Sequence, residues 1–196
     1  MDAKLRLSKD TKGIDIAMEQ CNFTLFNSDF VVEPFSYRTT DQTSRLTVKL
    51  QHLDLALLIP YQKVKGLAVK GLVDGTLPLE INSDGIHMEG GEVWQNGPGT
   101  ISYQPEDSTA MKKAGLPDFV IKAMEDFRYH TLQTKVSYQT DGQLDLSIRL
   151  QGKSPRIDSN RPIHLNLNVE QNLLYLLKSL GYSGAISQEI EKAIQK

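Results

Sequence analysis

Over residues 67–81 every odd position is apolar or glycine (Leu67, Val69, Gly71, Val73, Gly75, Leu77, Leu79, Ile81), while the even positions include Lys70, Asp74, Thr76 and Glu80. A period of two belongs to the β-strand, whose successive side chains point to opposite faces. So long a run requires a sheet with one apolar face and one wetted face. Shorter copies of the alternation predict strands at 3–7, 14–18, 22–26, 46–50, 86–88, 100–103, 128–138, 144–150 and 163–169. Turn signals punctuate them: Lys12-Gly13, Asp74-Gly75, Asp84-Gly85, Asn96-Gly97-Pro98-Gly99 and Asp141-Gly142, the last giving the clearest hairpin. Pro78 stands inside the longest alternating run and calls for an edge, a bulge or a bend there. The fold class expected is mostly β, a curved antiparallel sheet or trough.

Three stretches carry helical spacing instead. Residues 53–61 read as one or two turns stopped by Pro60. Residues 116–127, opened by Pro117 and Asp118, repeat apolar residues at Phe119, Val120, Ala123, Met124 and Phe127 as an amphipathic helix does. The end of the chain reads as two helical pieces broken around Gly181 and Gly184. The expected layout over 1–196 is a single domain: strands over 1–105, a helix within 107–127, strands over 128–169 and helices over 170–196.

Charge narrows the function classes. With 22 Lys and Arg against 24 Asp and Glu, the net charge of −2 offers no basic field for a phosphate backbone. The single Cys21 cannot make an internal disulfide, and its plainest role is that of a small buried hydrophobe. No run of 18 apolar residues is present, and the start has no apolar stretch of signal-peptide length. His52, His87, His130 and His164 lie far apart, without metal-ligand spacing, and no nucleophile elbow or phosphate loop is present. The reading at this point is a chain that is not an enzyme, with no cofactor, no metal and no catalytic residue.

An amphipathic sheet can bury its apolar face in two ways. Two sheets can close on each other as a β-sandwich binding or structural module, or one sheet can curl into a trough that leaves its lining open to an apolar ligand. Periodicity alone leaves both open. The block "VKGLAVKGLVDGTLPLEINSDGIHMEGGEVWQNGPGTISYQP" (64–105), followed by the hairpin "LQTKVSYQTDGQLDLSIRLQG" and "NRPIHLNLNVEQNLLYLLKSL", resembles the YdbH family of enterobacterial envelope proteins. That family is grouped with TamB and YhdP among AsmA-like proteins.

The resemblance implies a C-terminal fragment of a longer periplasmic protein, anchored in the inner membrane, that carries phospholipid to the outer membrane along a trough. It also implies a partner, a small outer-membrane lipoprotein of the YnbE kind, joined by strand addition. The expected lipid groove is the apolar set Ile14, Ile16, Phe23, Leu25, Leu46, Val48, Leu50, Leu67, Val69, Val73, Leu77, Leu79, Ile81, Leu144, Leu146, Ile148 and Leu150. The expected partner strand is Ile163, His164, Leu165, Asn166, Leu167, Asn168 and Val169. Its apolar members, Leu165 and Leu167 among them, can also continue the lining.

Overall fold

The structure, a computed structural model, describes residues 2–9, 11, 13–59, 65–104 and 117–173. Its strands are β1 (Asp2–Lys9), β2 (Ile14–Leu25), β3 (Ser28–Val32), β4 (Phe35–Arg38), β5 (Thr43–Asp54), β6 (Leu67–Asn82), β7 (Gly85–Tyr103), β8 (Phe127–Tyr138), β9 (Gln143–Ser154) and β10 (Asp158–Asn172). All of them belong to one open antiparallel sheet in the order β1-β2-β3-β5-β6-β7-β8-β9-β10, with β4 folded back onto the N-terminal half of β2. The described strands form this one sheet, which is not closed, and no second sheet packs on it among the described residues. A short 3-10 turn (Leu55–Leu57) and one helix, α1 (Asp118–Met124), complete the described elements.

Two turn signals turn out to be strand features. Asp74-Gly75 lies within an unbroken β6, because β7 crosses it closely: a Cβ on Gly75 would stand 2.9 Å from Val93 Cγ2 and 3.0 Å from the Glu92 carbonyl. Asp74 itself accepts the His52 backbone N–H at 2.8 Å and the Asn96 amide at 2.9 Å, supporting a bulge in β5 where His52 takes a φ of +55°. The Asn96-Gly97-Pro98-Gly99 run is likewise a bulge inside β7, where the register with β6 and β8 shifts. Pro78 pairs with Thr47 on one side and faces a register shift in β7 on the other, between Thr76 and Leu79. A residue without a backbone donor fits a place where the ladder is already interrupted.

Boundaries also move. The 128–138 strand begins at Phe127, α1 is confined to Asp118–Met124, and β10 runs through Asn172, past the point where helices were expected to start. Residues 105–116 and 174–196, which hold the start of the expected central helix and nearly all of the C-terminal helices, lie outside the described residues. The hairpin at Asp141-Gly142 forms as read. Gly142 has φ +91°, its N–H donates to the Gln139 carbonyl at 2.9 Å, and Asp141 Oδ1 accepts the Gln143 N–H at 3.0 Å.

Candidate functional site

Cross-strand partners share a face, so the register can be followed across the whole sheet. One row passes through Phe23, Phe30, Leu50, Gly75, Val93, Thr134, Ile148 and Leu167 on eight successive strands. A second passes through Leu46, Leu79, Met88, Tyr138, Leu144 and Gln171. Simple parity would break this face in β2, since Ile14 and Ile16 are even-numbered and Phe23 and Leu25 are odd. A bulge between Met18 and Gln20 repairs it: Leu5 pairs with Met18 and Lys4 with Gln20, which sets Ile14, Ile16, Met18, Cys21, Phe23 and Leu25 on one side. Every residue expected in the groove stands on this single face. Ile163, Leu165, Leu167 and Val169 of β10 join it, while His164, Asn166 and Asn168 take the opposite parity.

The face is not uniformly covered. A buried cluster of Leu50, Leu53, Val73, Ile101, Ala123, Phe127, Tyr129, Leu132, Leu150, Ile163 and Leu165 lies where α1 and the 3-10 turn pack on the sheet. Val73, Tyr129 and Leu150 are each 1% exposed. Toward β1 and β2 the same face opens, with Leu7 65%, Leu25 41% and Ile14 38% exposed. Cys21 is buried in this face, as its size and polarity suggest.

Several members of the face were not legible as such. Phe30 and Val32 of β3 and Phe35 and Tyr37 of β4 sit on strands too short to display a period. Phe127 and Tyr129 share the face with Leu132 and Val136 only because β8 bulges at His130. Gln95 is a polar residue on the same face with a defined task. Its Oε1 accepts the Leu132 N–H at 2.7 Å and its Nε2 donates to the His130 carbonyl at 3.2 Å, satisfying the backbone that the bulge frees.

At the end of the sheet opposite α1, a cavity of about 840 Å³ lies against the face, lined by Ile16, Phe35, Tyr37, Asp41, Gln42, Thr43, Ser44, Ile81, Asn82 and Ser83. Ser44 pairs with Ile81 and is buried, and its Oγ has no hydrogen-bond partner. No group of three or more His, Cys, Asp or Glu that could hold a metal occurs among the described residues.

The outer face is polar and laced with cross-strand ion pairs. Arg45 and Glu80 are register partners 2.7 Å apart, and His87 on β7 lies 3.4 Å from the same carboxylate. Arg38 clasps Asp15 through two hydrogen bonds of 2.6 and 2.7 Å. These donors hold the Glu80 and Asp15 carboxyls below their usual range, the hydrogen bond being the larger cause in each.

The site is a single open sheet whose one apolar face crosses every strand. The model of the YdbH-like family, described as intermembrane phospholipid transport protein YdbH, matches residues 1–195. This chain belongs to the YdbH-like family. It is 23% identical over 148 residues to the probable phospholipid transport protein YdbH of Escherichia coli (strain K12), a match that covers 74% of this chain and 17% of that protein. No solved structure matches. The YdbH-like block quoted from the sequence, 64–105, maps onto β6 and β7 at the centre of the sheet. Of its glycines, Gly71, Gly75, Gly91 and Gly99 stand where neighbouring atoms approach closely, Gly90 and Gly97 lie at register shifts, and Gly66 and Gly85 lie in or beside turns.

Proposed function

We propose that the apolar face of this chain is a path for phospholipid between the two membranes of an envelope, the lipid tails lying on the face while the headgroup stays in water. The observation that carries this reading is the continuity of the face: one mainly apolar side that crosses every strand of an open sheet, covered by α1 and the 3-10 turn at one end and increasingly exposed toward β1. Moving two 16-carbon tails through water exposes about 30 methylenes at about 0.8 kcal/mol each, about 25 kcal/mol in all. A track lined by Leu, Ile and Val removes most of that cost at every step, and holds no single position so tightly that the cargo is trapped. The nine strands in sequence, spaced by about 4.8 Å, give a floor about 38 Å from β1 to β10, longer than the roughly 30 Å hydrocarbon core of a bilayer. The family description and the relative's name support the same reading.

The outer edge of β10, which pairs with no strand among the described residues, is the proposed docking place for a small outer-membrane lipoprotein, which would add a strand to it. The full-length protein would then work in the periplasm. Among the described residues no helix is long and apolar enough to cross a membrane. The path is tested with a photo-crosslinking side chain placed at successive positions of 67–81. Capture of lipid at odd positions and none at even ones is the expected result. Equal capture at both parities would mean that lipid does not follow the apolar face.

A further inference from the structure

We propose that the cavity at the end of the sheet opposite α1 is a station for a phospholipid headgroup bearing a primary ammonium, and that Asp41 selects for it. This rests on the apolar face being a lipid path, and it names what that path prefers. The cavity, about 840 Å³, is of the size of small-molecule sites. Its floor continues the apolar face, since Ile16 pairs with Tyr37 and Ile81 with Ser44. Its rim comes from two connections, 39–42 before β5 and 83–84 before β7, which bring Asp41 and Ser83 beside Ser44 and Asn82. An apolar floor meeting a polar rim is the place where an amphiphile changes from tail to headgroup.

The rim chemistry is selective. Among the described residues its one ionisable group besides the Tyr37 phenol is Asp41, and neither Lys nor Arg lines it. Asp41 accepts the Arg38 backbone N–H at 3.3 Å and makes no ion pair among the described residues, while the Arg38 guanidinium is held by Asp15. A headgroup carrying only negative charge would meet a carboxylate with no cation to offset it. A headgroup with an ammonium gains a charge-assisted hydrogen bond to Asp41. Its phosphate can accept from neutral donors, the Asn82 amide and the Ser44 hydroxyl, which is 6% exposed and otherwise unpartnered.

The test offers the whole chain vesicles containing equal amounts of phosphatidylethanolamine and phosphatidylglycerol with identical acyl chains, then counts the lipids carried off by the protein. The expected result is enrichment of phosphatidylethanolamine by about two- to fivefold, the range of a solvent-accessible ion pair. Asp41→Asn should return the bound ratio to that of the vesicles, and Ser83→Lys should turn it toward phosphatidylglycerol. Lipid bound by the unaltered chain at the vesicle ratio overturns the proposal by itself, whether or not a variant folds. So does enrichment that survives Asp41→Asn. Absence of either lipid from the protein overturns the path itself, and this proposal with it.

Discussion

Tyr129 fills a hole that two glycines leave for it. Its ring lies under Gly71, which has φ +144°, and under Gly99 at the end of the β7 bulge, and its Oη donates to the Lys70 carbonyl at 3.2 Å. A Cβ at either glycine would run into the phenol, and at Gly99 also into the Lys70 carbonyl. Burial pushes the phenol pKa up, so the hydroxyl remains a donor throughout the neutral range. Gly99→Ala should therefore cost about 1–3 kcal/mol by overpacking, and Tyr129→Phe about 1 kcal/mol for the lost hydrogen bond. The double variant removes the phenol oxygen, one of three atoms the new methyl would strike, so its cost should fall a little below the sum of the two, with Tyr129 Cζ and the Lys70 carbonyl still in the way. Urea unfolding of the four proteins checks this, and strict additivity would show that the phenol and Gly99 are not packed as described.

At the scale of the element, β10 is the informative strand. It pairs with β9 along one side and with nothing among the described residues along the other. Alternate N–H groups of such an edge point away from the sheet. Proline placed in turn from His164 to Asn168 should leave the fold intact at one parity while abolishing binding of a strand-adding partner, and should lower stability at the other parity, where a ladder bond is lost. Thermal unfolding together with partner pull-down separates the two sets, and unfolding at every position would mean that the edge is not free. This strand, like β6 and β9, was legible because its alternation is clean and its turns are sharp. Strands β3 and β4 were missed because four or five residues hold no measurable period, and β7 was seen only at its two ends because a glycine-rich bulge resembles a turn. Membership of the apolar face was legible wherever parity holds. Where a bulge resets parity, as at 19 in β2 and 130 in β8, only the register of the neighbouring strand reveals which side a residue takes.

The whole molecule divides its two faces by chemistry, and acid should weaken the wet one first. Arg45 and His87 on Glu80, Arg38 on Asp15, and Lys4 and Arg6 on Glu19 all lower the pKa of a carboxylate in the folded chain. A carboxyl with a lower pKa folded than unfolded stabilises the fold above its unfolded value, 4.5 for Glu and 3.8 for Asp, and loses that contribution as pH falls through its folded value. The double variant Arg38→Ala/Arg45→Ala should thus melt below the unaltered chain at pH 7 in low salt, with the gap closing by pH 2–3. A gap of the same size at both pH values would assign the loss to packing of the arginine stems. Beneath this electrostatic layer lies an order of assembly. Apart from β4, each strand of the sheet pairs with the one before it in the chain, so no crossover is needed to add a rung, and the longest connection to close is residues 104–126 between β7 and β8. Such a chain can be laid down as it emerges from the machinery that makes or exports it, every hairpin using the finished edge of the last as its template, and the growing end always presents a fresh edge to whatever strand comes next.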